Sequence, residues 1–459
     1  MQLTEELARF ITDLRAGDIP SEARALAVRA ILDTAGVMLA GSREDCARIA
    51  ADVVRARESR PVATVVGAGF RTTPESAAFV NGVAGHALDY DDVNSGMTGH
   101  PSVPLVPAVL AVGEETGASG REIISAFIAG FEVETRLGRA IGRSHYERGW
   151  HATATMGVLG SAAVSARLYG LSVEQTQMAL GIAVSLASGS RQNFGTMTKP
   201  LHPGHASQNG IVAAQLAARG FTADATAIEA PLGFFALFSS GLDSAPEAVL
   251  AGLGSEFEML DTGISVKNYP CCFGTHRAIQ AILDLRAEDR VSAGLVEQVN
   301  VLMPRGAASP LIHSRPTTGL EGKFSMEYCV AAALLDGRVG LSTFEDSAVQ
   351  RPAAQELLRK VGLQEADVDS APADGFTEVR LRLRGGEEIL RRVDEPRGGP
   401  GEPLTLQELT AKFRDCSEPG LGAEAAERAL RLLLDLERLD TIAELTSAIG
   451  RPVAVPAAG

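Results

Sequence analysis

Apolar and polar positions repeat with helical periodicity through most of residues 1–265. Ser21 begins an apolar-periodic segment that ends near Gly41, and Pro74 stands in the first turn of another helix. Further helices are predicted over residues 102–117, 120–141, 151–169, 172–189 and 205–219. Alanine and glycine are frequent in these segments, and small side chains let helices approach closely. The pattern therefore predicts a tightly packed helical domain rather than alternating strands and helices.

The pattern changes after this helical region. Residues 296–304 are predicted to form a strand, and residues 376–393 alternate apolar with charged positions around a Gly-Gly turn, which is a hairpin signal. A linker rich in Pro and Gly occupies residues 393–403, and helices resume over 405–449. We predict a mainly α fold, in which a large all-helical domain (residues 1–265 plus 405–459) carries an inserted, smaller α+β lid domain (residues 266–404).

Composition and charge narrow the classes of function. The 459 residues carry a net charge of −15 without a basic block, which argues against a nucleic-acid partner. The N-terminal residues do not read as a signal peptide, and the sequence contains no run of 18 apolar residues, so we expect no membrane span. Five cysteines, an odd number with two adjacent, favour a reducing compartment over a disulfide framework. We expect a cytoplasmic protein.

Lysine is scarce, with only five lysines against 37 arginines. A chain that uses arginine as its general cation makes each lysine more informative, because a lysine can lower its pKa and move protons. Three of the five, Lys199, Lys267 and Lys323, lie in the most unusual polar stretches of the sequence.

Polar side chains concentrate in five stretches that lie far apart along the chain. Seven of the eight histidines fall in the first four stretches, a grouping that a scaffold surface does not require. The five stretches are residues 85–102, 145–161, 193–210, 266–279 and 315–337.

Several kinds of chemistry are disfavoured. Asp89, Asp91, Asp92 and His100 offer oxygen and nitrogen ligands, but the spacing of EF-hands, of HExxH and of zinc fingers is absent, so we predict no metal. The sequence lacks GxSxG, and Cys272 is better explained as a small buried side chain than as a nucleophile. GxGxxG after a strand and the P-loop are also absent, so we predict no cofactor.

Acid–base chemistry without a cofactor remains. Histidine and lysine transfer protons near neutral pH, and additional cations bind carboxylates and stabilise charge that develops on them. A proton next to a carboxylate is weakly acidic, so its removal needs a base and a clamp for the resulting enolate. We therefore expect a small di- or tricarboxylate substrate. A non-enzymatic metabolite-binding protein is the second hypothesis, and a purely helical scaffold is the third.

The motifs HALDYDD, GHPS, GWHATAT, TMTKPLH, YPCC and KFSMEY, taken together and in this order, resemble the MmgE/PrpD family. This family includes 2-methylcitrate dehydratase, cis-aconitate decarboxylase and iminodisuccinate epimerase. The motif sequences resemble the epimerase branch most closely. The resemblance covers about residues 30 to 416. It implies a helical domain, a smaller lid domain, a homodimer, and a site in the cleft between the domains.

The resemblance also implies site residues, which are carried over from the cis-aconitate decarboxylase pattern. We interpret His100 and His151 as an acid–base pair and Asp89 as the carboxylate that orients one of them. The full implied catalytic set is Asp89, His100, His151, Lys199, His276 and Tyr328. His276 and Tyr328 belong to the lid, so domain closure is expected to complete the site.

Three further cations are candidate substrate binders: Lys267, Lys323 and Arg315, although each of the two lysines has a salt-bridge role as an equal alternative. His86 is expected to be a structural hydrogen-bonding residue. One departure from the decarboxylase pattern is Val93, which stands where that pattern has a threonine, so a hydroxyl able to hold a substrate carboxylate is missing. We therefore predict epimerisation or elimination, with decarboxylation as the alternative.

Overall fold

Buried hydrophobic side chains form two large clusters in the computed structural model, which describes residues 2–241, 243–370 and 374–454. The first cluster draws on residues 3–266 and again on residues 404–449, whereas the second draws on residues 269–393. The chain therefore builds one core from both of its ends and a second core from the segment between them.

Helices build the first core almost alone. From the N-terminal side they are α1 (Leu3–Asp13), α2 (Ser21–Gly41), α3 (Asp45–Arg55), α4 (Pro74–His86), α5 (Ser102–Thr116), α6 (Gly120–Ile141), α7 (Arg143–Glu147), α8 (Ala152–Thr155), α9 (Gly157–Leu168), α10 (Val173–Leu186), α11 (Thr198–Ala218), α12 (Phe234–Phe238) and α13 (Glu258–Asp261). A two-stranded hairpin, β1 (Ala63–Val65) and β2 (Phe70–Thr72), interrupts this series. The all-helical prediction missed this hairpin because a pair of three-residue strands leaves almost no alternating pattern.

A small mixed sheet and several helices form the second core. Its elements are α14 (His276–Ala287), β3 (Val296–Arg305), α15 (Gly319–Gly322), α16 (Met326–Asp336), α17 (Asp346–Val349), α18 (Pro352–Leu357), β4 (Val361–Asp369), β5 (Thr377–Leu383) and β6 (Glu388–Val393). The strand order is β4-β3-β5-β6; β3 and β4 are parallel, and the other pairs are antiparallel. Gly385 and Gly386, both at positive φ, make the β5–β6 turn as predicted.

The C-terminal helices return to the first core. They are α19 (Leu406–Leu421), α20 (Ala423–Leu434) and α21 (Ala443–Ile449). The two chain segments that connect the cores run side by side, since the Val266 N–H donates to the Gly398 carbonyl at 2.9 Å. Helices and a small sheet in this arrangement confirm the prediction of a mainly α fold.

Helices α4 and α11 cross at glycine against glycine. A Cβ added to Gly82 would lie 2.6 Å from the Gly204 Cα, so only the absence of both side chains permits this approach. The crossing brings the C-terminal end of α4, with His86 and the acidic run behind it, next to the first turns of α11, with Lys199 and His202.

Within the described ranges, no single helix is long and apolar enough to cross a membrane. Helices α2 and α3 meet the length and composition criteria only when taken together, and they are bent by 85° at their junction.

Candidate active site

A cavity of about 550 Å³, including space open to solvent, lies where the two cores meet. Tyr146 and Phe194 from the helical side pack with Cys272 and Phe324 from the other side in a small apolar cluster of their own, and all four side chains line the cavity. Five residues predicted for the site also line it: Asp89, His100, His151, Lys199 and Lys267. The cavity therefore lies where the sequence predicted the site, and most of the polar stretches contribute side chains to it.

Asp89 holds two lysines. Its backbone, just after α4, has a φ of +52°, a left-handed conformation that Asp tolerates better than most side chains do. Its Oδ1 lies 2.5 Å from the Lys199 Nζ and its Oδ2 lies 3.1 Å from the Lys267 Nζ; Lys267 also donates to the Asp89 carbonyl at 2.7 Å. Burial raises the pKa of Asp89, but the two ammonium groups outweigh burial and hold that pKa well below its usual range. Asp89 is thus an ionised anchor for two buried cations.

Asp91, rather than Asp89, is the carboxylate that contacts histidines most closely. Its Oδ2 lies 2.8 Å from the His86 Nδ1 and 3.2 Å from the His100 Nδ1, whereas the nearest oxygen of Asp89 is 3.9 Å from His100. Asp91, two residues further along the chain, is therefore the carboxylate that orients His100, because the turn at Asp89 directs the Asp89 carboxylate to the lysines.

These contacts fix the tautomer of His100. Its Nδ1 faces the Asp91 carboxylate and, at 2.9 Å, the Asp92 carbonyl, and both groups only accept hydrogen bonds. In the neutral ring Nδ1 therefore carries the proton, and Nε2 keeps its lone pair. Burial lowers the pKa of His100, with Asp91 opposing that shift, so the ring is a neutral base near pH 7.

His151 is paired with a residue outside the predicted catalytic set. Its Nδ1 lies 2.9 Å from the Nδ1 of His202, so one ring donates to the other and Nε2 of His151 stays free of this contact. Burial, followed by the positive charge of Lys199, lowers the pKa of His151 well below its usual value. Lys199 and His202 are three residues apart on α11 and share one face, a spacing that was visible in the sequence.

Lys323 is buried but does not line the cavity. Its ammonium donates to the carbonyls of Leu88 and Pro270, at 2.7 and 3.2 Å, and burial lowers its pKa to about 8. The structure therefore places Lys323 as a tie between the two sides, because its hydrogen bonds are directed to backbone carbonyls and away from the cavity.

Lys412 of α19 has a similar position, which sequence reasoning missed. Its Nζ lies 2.8 Å from the Asp33 carboxylate and donates to the carbonyls of Tyr90 and Lys267, at 2.9 and 2.8 Å. The scarcity of lysine in the sequence could have identified Lys412, since four of the five lysines are buried within this region.

Three other predicted site residues lie away from the cavity. His276 is fully buried behind Phe273, with its Nε2 3.3 Å from the Cys271 carbonyl. The Tyr328 hydroxyl donates to the Thr343 carbonyl at 2.5 Å inside the second core. Arg315 is exposed and contacts the neighbouring Ser314 carbonyl. In this arrangement the second core fills the space around Tyr328 and His276, so neither side chain reaches the Asp89 lysines.

Among the residues that the structure describes, two overlapping sets of side chains have the ligand types and the proximity to hold a cation. They are His86 with His100 and His151, and His86 with Asp89, Asp91 and His100. The first set contains only imidazole nitrogens, which suit zinc and other first-row transition metals.

The fold and this cavity define a class: an α-rich protein with two cores and buried acid–base groups between them. The MmgE/PrpD N-terminal domain matches residues 5–247, and the MmgE/PrpD C-terminal domain matches residues 269–438. The chain therefore belongs to the MmgE/PrpD family.

Similar proteins extend along nearly the whole chain. They include the cis-aconitate decarboxylases of Homo sapiens and Aspergillus terreus, which are 30% and 29% identical over 464 and 478 residues. These alignments cover 98% and 99% of this chain and 95% and 97% of the relatives. Decarboxylases are lyases. The comparisons therefore support the conclusion that this chain is an enzyme of the MmgE/PrpD family and that its relatives include lyases.

Proposed function

We propose that this enzyme transfers a proton, without a cofactor, at the carbon next to a carboxylate of a small di- or tricarboxylate. The proposal rests on one observation: a single cavity combines two ammonium groups fixed on Asp89 with two neutral imidazoles, of which His151 is buried and His100 is partly exposed. Epimerisation, as of iminodisuccinate, and elimination, as of 2-methylcitrate, both begin with this proton transfer.

Lys199 and Lys267 supply the clamp. Each ammonium uses part of its donor capacity on Asp89, and an ammonium has three donors, so donors remain for a substrate carboxylate. Lys199, Lys267 and Asp89 together carry one net positive charge, and all three line the cavity, so they attract a substrate carboxylate. Phe194 and Phe324, whose ring centroids lie 5.2 and 5.0 Å from the Lys199 Nζ, form the apolar wall around this charge.

His100 and His151 supply the base and the acid. A neutral imidazole takes the α-proton, the electron pair of the broken C–H bond passes into the carboxylate, and the ammonium groups stabilise the enediolate. For His100, the Asp91 carboxylate stabilises the imidazolium that forms. For inversion, the opposite imidazole first takes a proton from solvent and delivers it to the other face, while the imidazolium returns the abstracted proton to solvent. For elimination, the β-hydroxyl takes the imidazolium proton and leaves as water, which gives an alkene.

Decarboxylation is the second candidate, favoured by the names of the relatives. Here a C–C bond breaks and CO₂ leaves, and the electron pair that stays on the carbon takes up a proton that an imidazole has first accepted from solvent. Val93 bears on this choice, since it lines the cavity and its backbone is fixed by two hydrogen bonds to Ser265, at 2.9 and 2.8 Å. An apolar side chain at this point offers no hydrogen bond to a departing carboxylate. We therefore favour proton transfer without loss of CO₂ over decarboxylation.

Proton NMR in D₂O tests the proposal and separates its branches. The EDTA-treated protein is incubated with iminodisuccinate, 2-methylcitrate, citrate and cis-aconitate. Exchange or inversion at one carbon without new olefinic signals identifies an epimerase, new olefinic signals from a saturated acid identify a dehydratase, and itaconate from cis-aconitate identifies a decarboxylase. Binding of these acids without exchange or conversion of any of them contradicts the proposal and favours a metabolite-binding protein.

A further inference from the structure

We propose that His86, His100 and His151 form a binding site for one first-row transition-metal dication, with Zn²⁺ as its probe, and that the bound ion blocks the base positions reversibly. The binding site stands on the geometry alone, whereas the block rests on the proposed function.

The three rings are close enough for a shared ion. One ring nitrogen of each lies within 4.8 Å of a nitrogen of the other two. The ring centroids are 4.5 Å apart for His86 and His100, 5.8 Å for His86 and His151, and 6.3 Å for His100 and His151. Zn–N distances of about 2.0–2.1 Å in a tetrahedral site require nitrogens about 3.4 Å apart. Side-chain rotations that bring the nitrogens together by up to about 1.4 Å therefore close the site.

The Nδ1 atoms of His86 and His100 are already held as in a metal site. Both face the Asp91 carboxylate, which accepts hydrogen bonds only, so both rings carry their proton on Nδ1 and keep the lone pair on Nε2. A carboxylate behind a ligating imidazole is the usual arrangement that orients such a ligand and raises its basicity.

His86 supplies the most specific observation. Its side chain is fully buried, and its Nε2 has no hydrogen-bond partner among the residues that the structure describes. A buried acceptor without a partner costs free energy, and coordination to a metal ion would satisfy it. The proposed proton transfer assigns no role to the His86 ring, so it does not explain why the buried Nε2 lacks a hydrogen-bond partner among the described residues.

His151 completes the set, and the cavity supplies the remaining position. The His151 Nδ1 is committed to His202, which leaves Nε2 for the ion. His100 and His151 line the cavity, so a water or a substrate carboxylate can take the fourth position, as in open zinc sites. The adjacent charges of Asp89 and Asp91 balance those of Lys199 and Lys267, so the ion pairs present no net positive charge to an incoming dication.

Calorimetric titration of the EDTA-treated full-length protein with Zn²⁺ tests the site. The key variant is His86→Asn, because its amide N–H can replace the Nδ1 donor to Asp91 while removing the Nε2 ligand. We expect one Zn²⁺ per chain in the wild type and at least about tenfold weaker binding in His86→Asn and in His151→Asn. His205→Asn, outside the three-ring set, is the matched control and should bind as the wild type does.

Co²⁺ gives a second readout, since nitrogen ligands in a tetrahedral site produce intense visible absorption that Zn²⁺ quenches by displacement. Wild-type affinity for Zn²⁺ in folded His86→Asn and His151→Asn, or the absence of binding by the wild type, overturns the site. Circular dichroism of both variants ensures that a misfolded chain is not read as a lost ligand.

The block is measured separately, as loss of D₂O exchange on addition of Zn²⁺ and its return with EDTA. Zn²⁺ binding by a protein that exchanges no substrate would defeat the proposed function and leave the metal site standing. Undiminished exchange at saturating Zn²⁺ would defeat the block alone.

Discussion

Asp89 and Asp91 stand two residues apart in one acidic run and serve different partners. The left-handed φ of Asp89 directs its carboxylate to Lys199 and Lys267, and Asp91 faces His86 and His100. The turn at Asp89 thus separates the carboxylate that holds the lysines, Asp89, from the carboxylate that faces the histidines, Asp91.

Replacing Asp89 should destabilise the protein. Asp89→Asn leaves two buried ammonium groups without their counter-ion, and breaking a buried pair in this way costs about 3 kcal/mol of unfolding free energy. Urea denaturation measures this cost, and adding Lys267→Met should recover part of it. Asp45→Asn, which removes an exposed partner of Arg48, should change stability by no more than about 0.5 kcal/mol. Equal effects of Asp89→Asn and Asp45→Asn would contradict the anchor role.

Replacing His151 should remove catalysis and keep the fold. His151→Asn retains a group that can pair with His202 but lacks Nε2, so we expect turnover to fall by about 100-fold or more. Steady-state kinetics with the accepted polycarboxylate gives the rate, and circular dichroism reports the fold. Unchanged turnover would remove His151 from the mechanism.

The pH profile should reflect imidazoles that are neutral near pH 7. The base works only in its neutral form, and burial lowers the pKa of both His100 and His151 below the ordinary 6.5. As pH falls, kcat/KM should therefore stay high through pH 6.5 and decline only below it. An acidic limb centred above pH 7 in a plot of kcat/KM against pH would be incompatible with these environments.

At the scale of elements, the crossing of α4 and α11 sets the distance between the acidic run and Lys199. Gly82→Ala forces the two backbones apart, and such overpacking costs about 1–3 kcal/mol. We expect a lower melting temperature together with lower turnover, because α11 carries Lys199 and His202. Gly17→Ala, where an added Cβ meets nothing within 4 Å, should change neither quantity. Normal activity and stability in Gly82→Ala would show that the crossing is not tight.

Long helices were the elements that the sequence predicted best. Predicted helices at 102–117 and 120–141 correspond to α5, an almost continuous apolar run that is buried along most of its length, and α6, which combines apolar spacing with a Ser119–Glu122 capping box. Strand β4 was not predicted, because the polar and apolar residues of VGLQEADVD do not alternate regularly, and the strand pairs only with β3. Helix α11 begins at Thr198 rather than 205, since Pro200 and Pro203 obscure its first turns.

The site was predictable as a set of residues but less so as a set of contacts. Motif content pointed to Asp89, His100, His151 and Lys199, which share the cavity. Which carboxylate serves which ring depends on one left-handed residue, and local pattern does not reveal that. The contacts of His202 and Lys412 join segments 51 and 322 residues apart, which one sequence cannot align in space.

At the scale of the whole molecule, the cavity exists only because two separately packed cores meet. Lys323 and Lys412 bind backbone carbonyls from different segments at this junction, so buried ammonium groups hold its edges together. A homodimer and a cytoplasmic location, expected from the sequence, stay predictions.

The most direct test of the account measures hydrogen exchange between D₂O and the carbon next to a substrate carboxylate. Mass spectrometry monitors the exchange until the reaction reaches equilibrium, with EDTA present. The account predicts that the wild type places deuterium on one such carbon of an accepted polycarboxylate and that His151→Asn does so about 100-fold more slowly or worse. Equilibrated substrate and product without deuterium at that carbon, or equal exchange by the variant, would contradict proton transfer by this cavity.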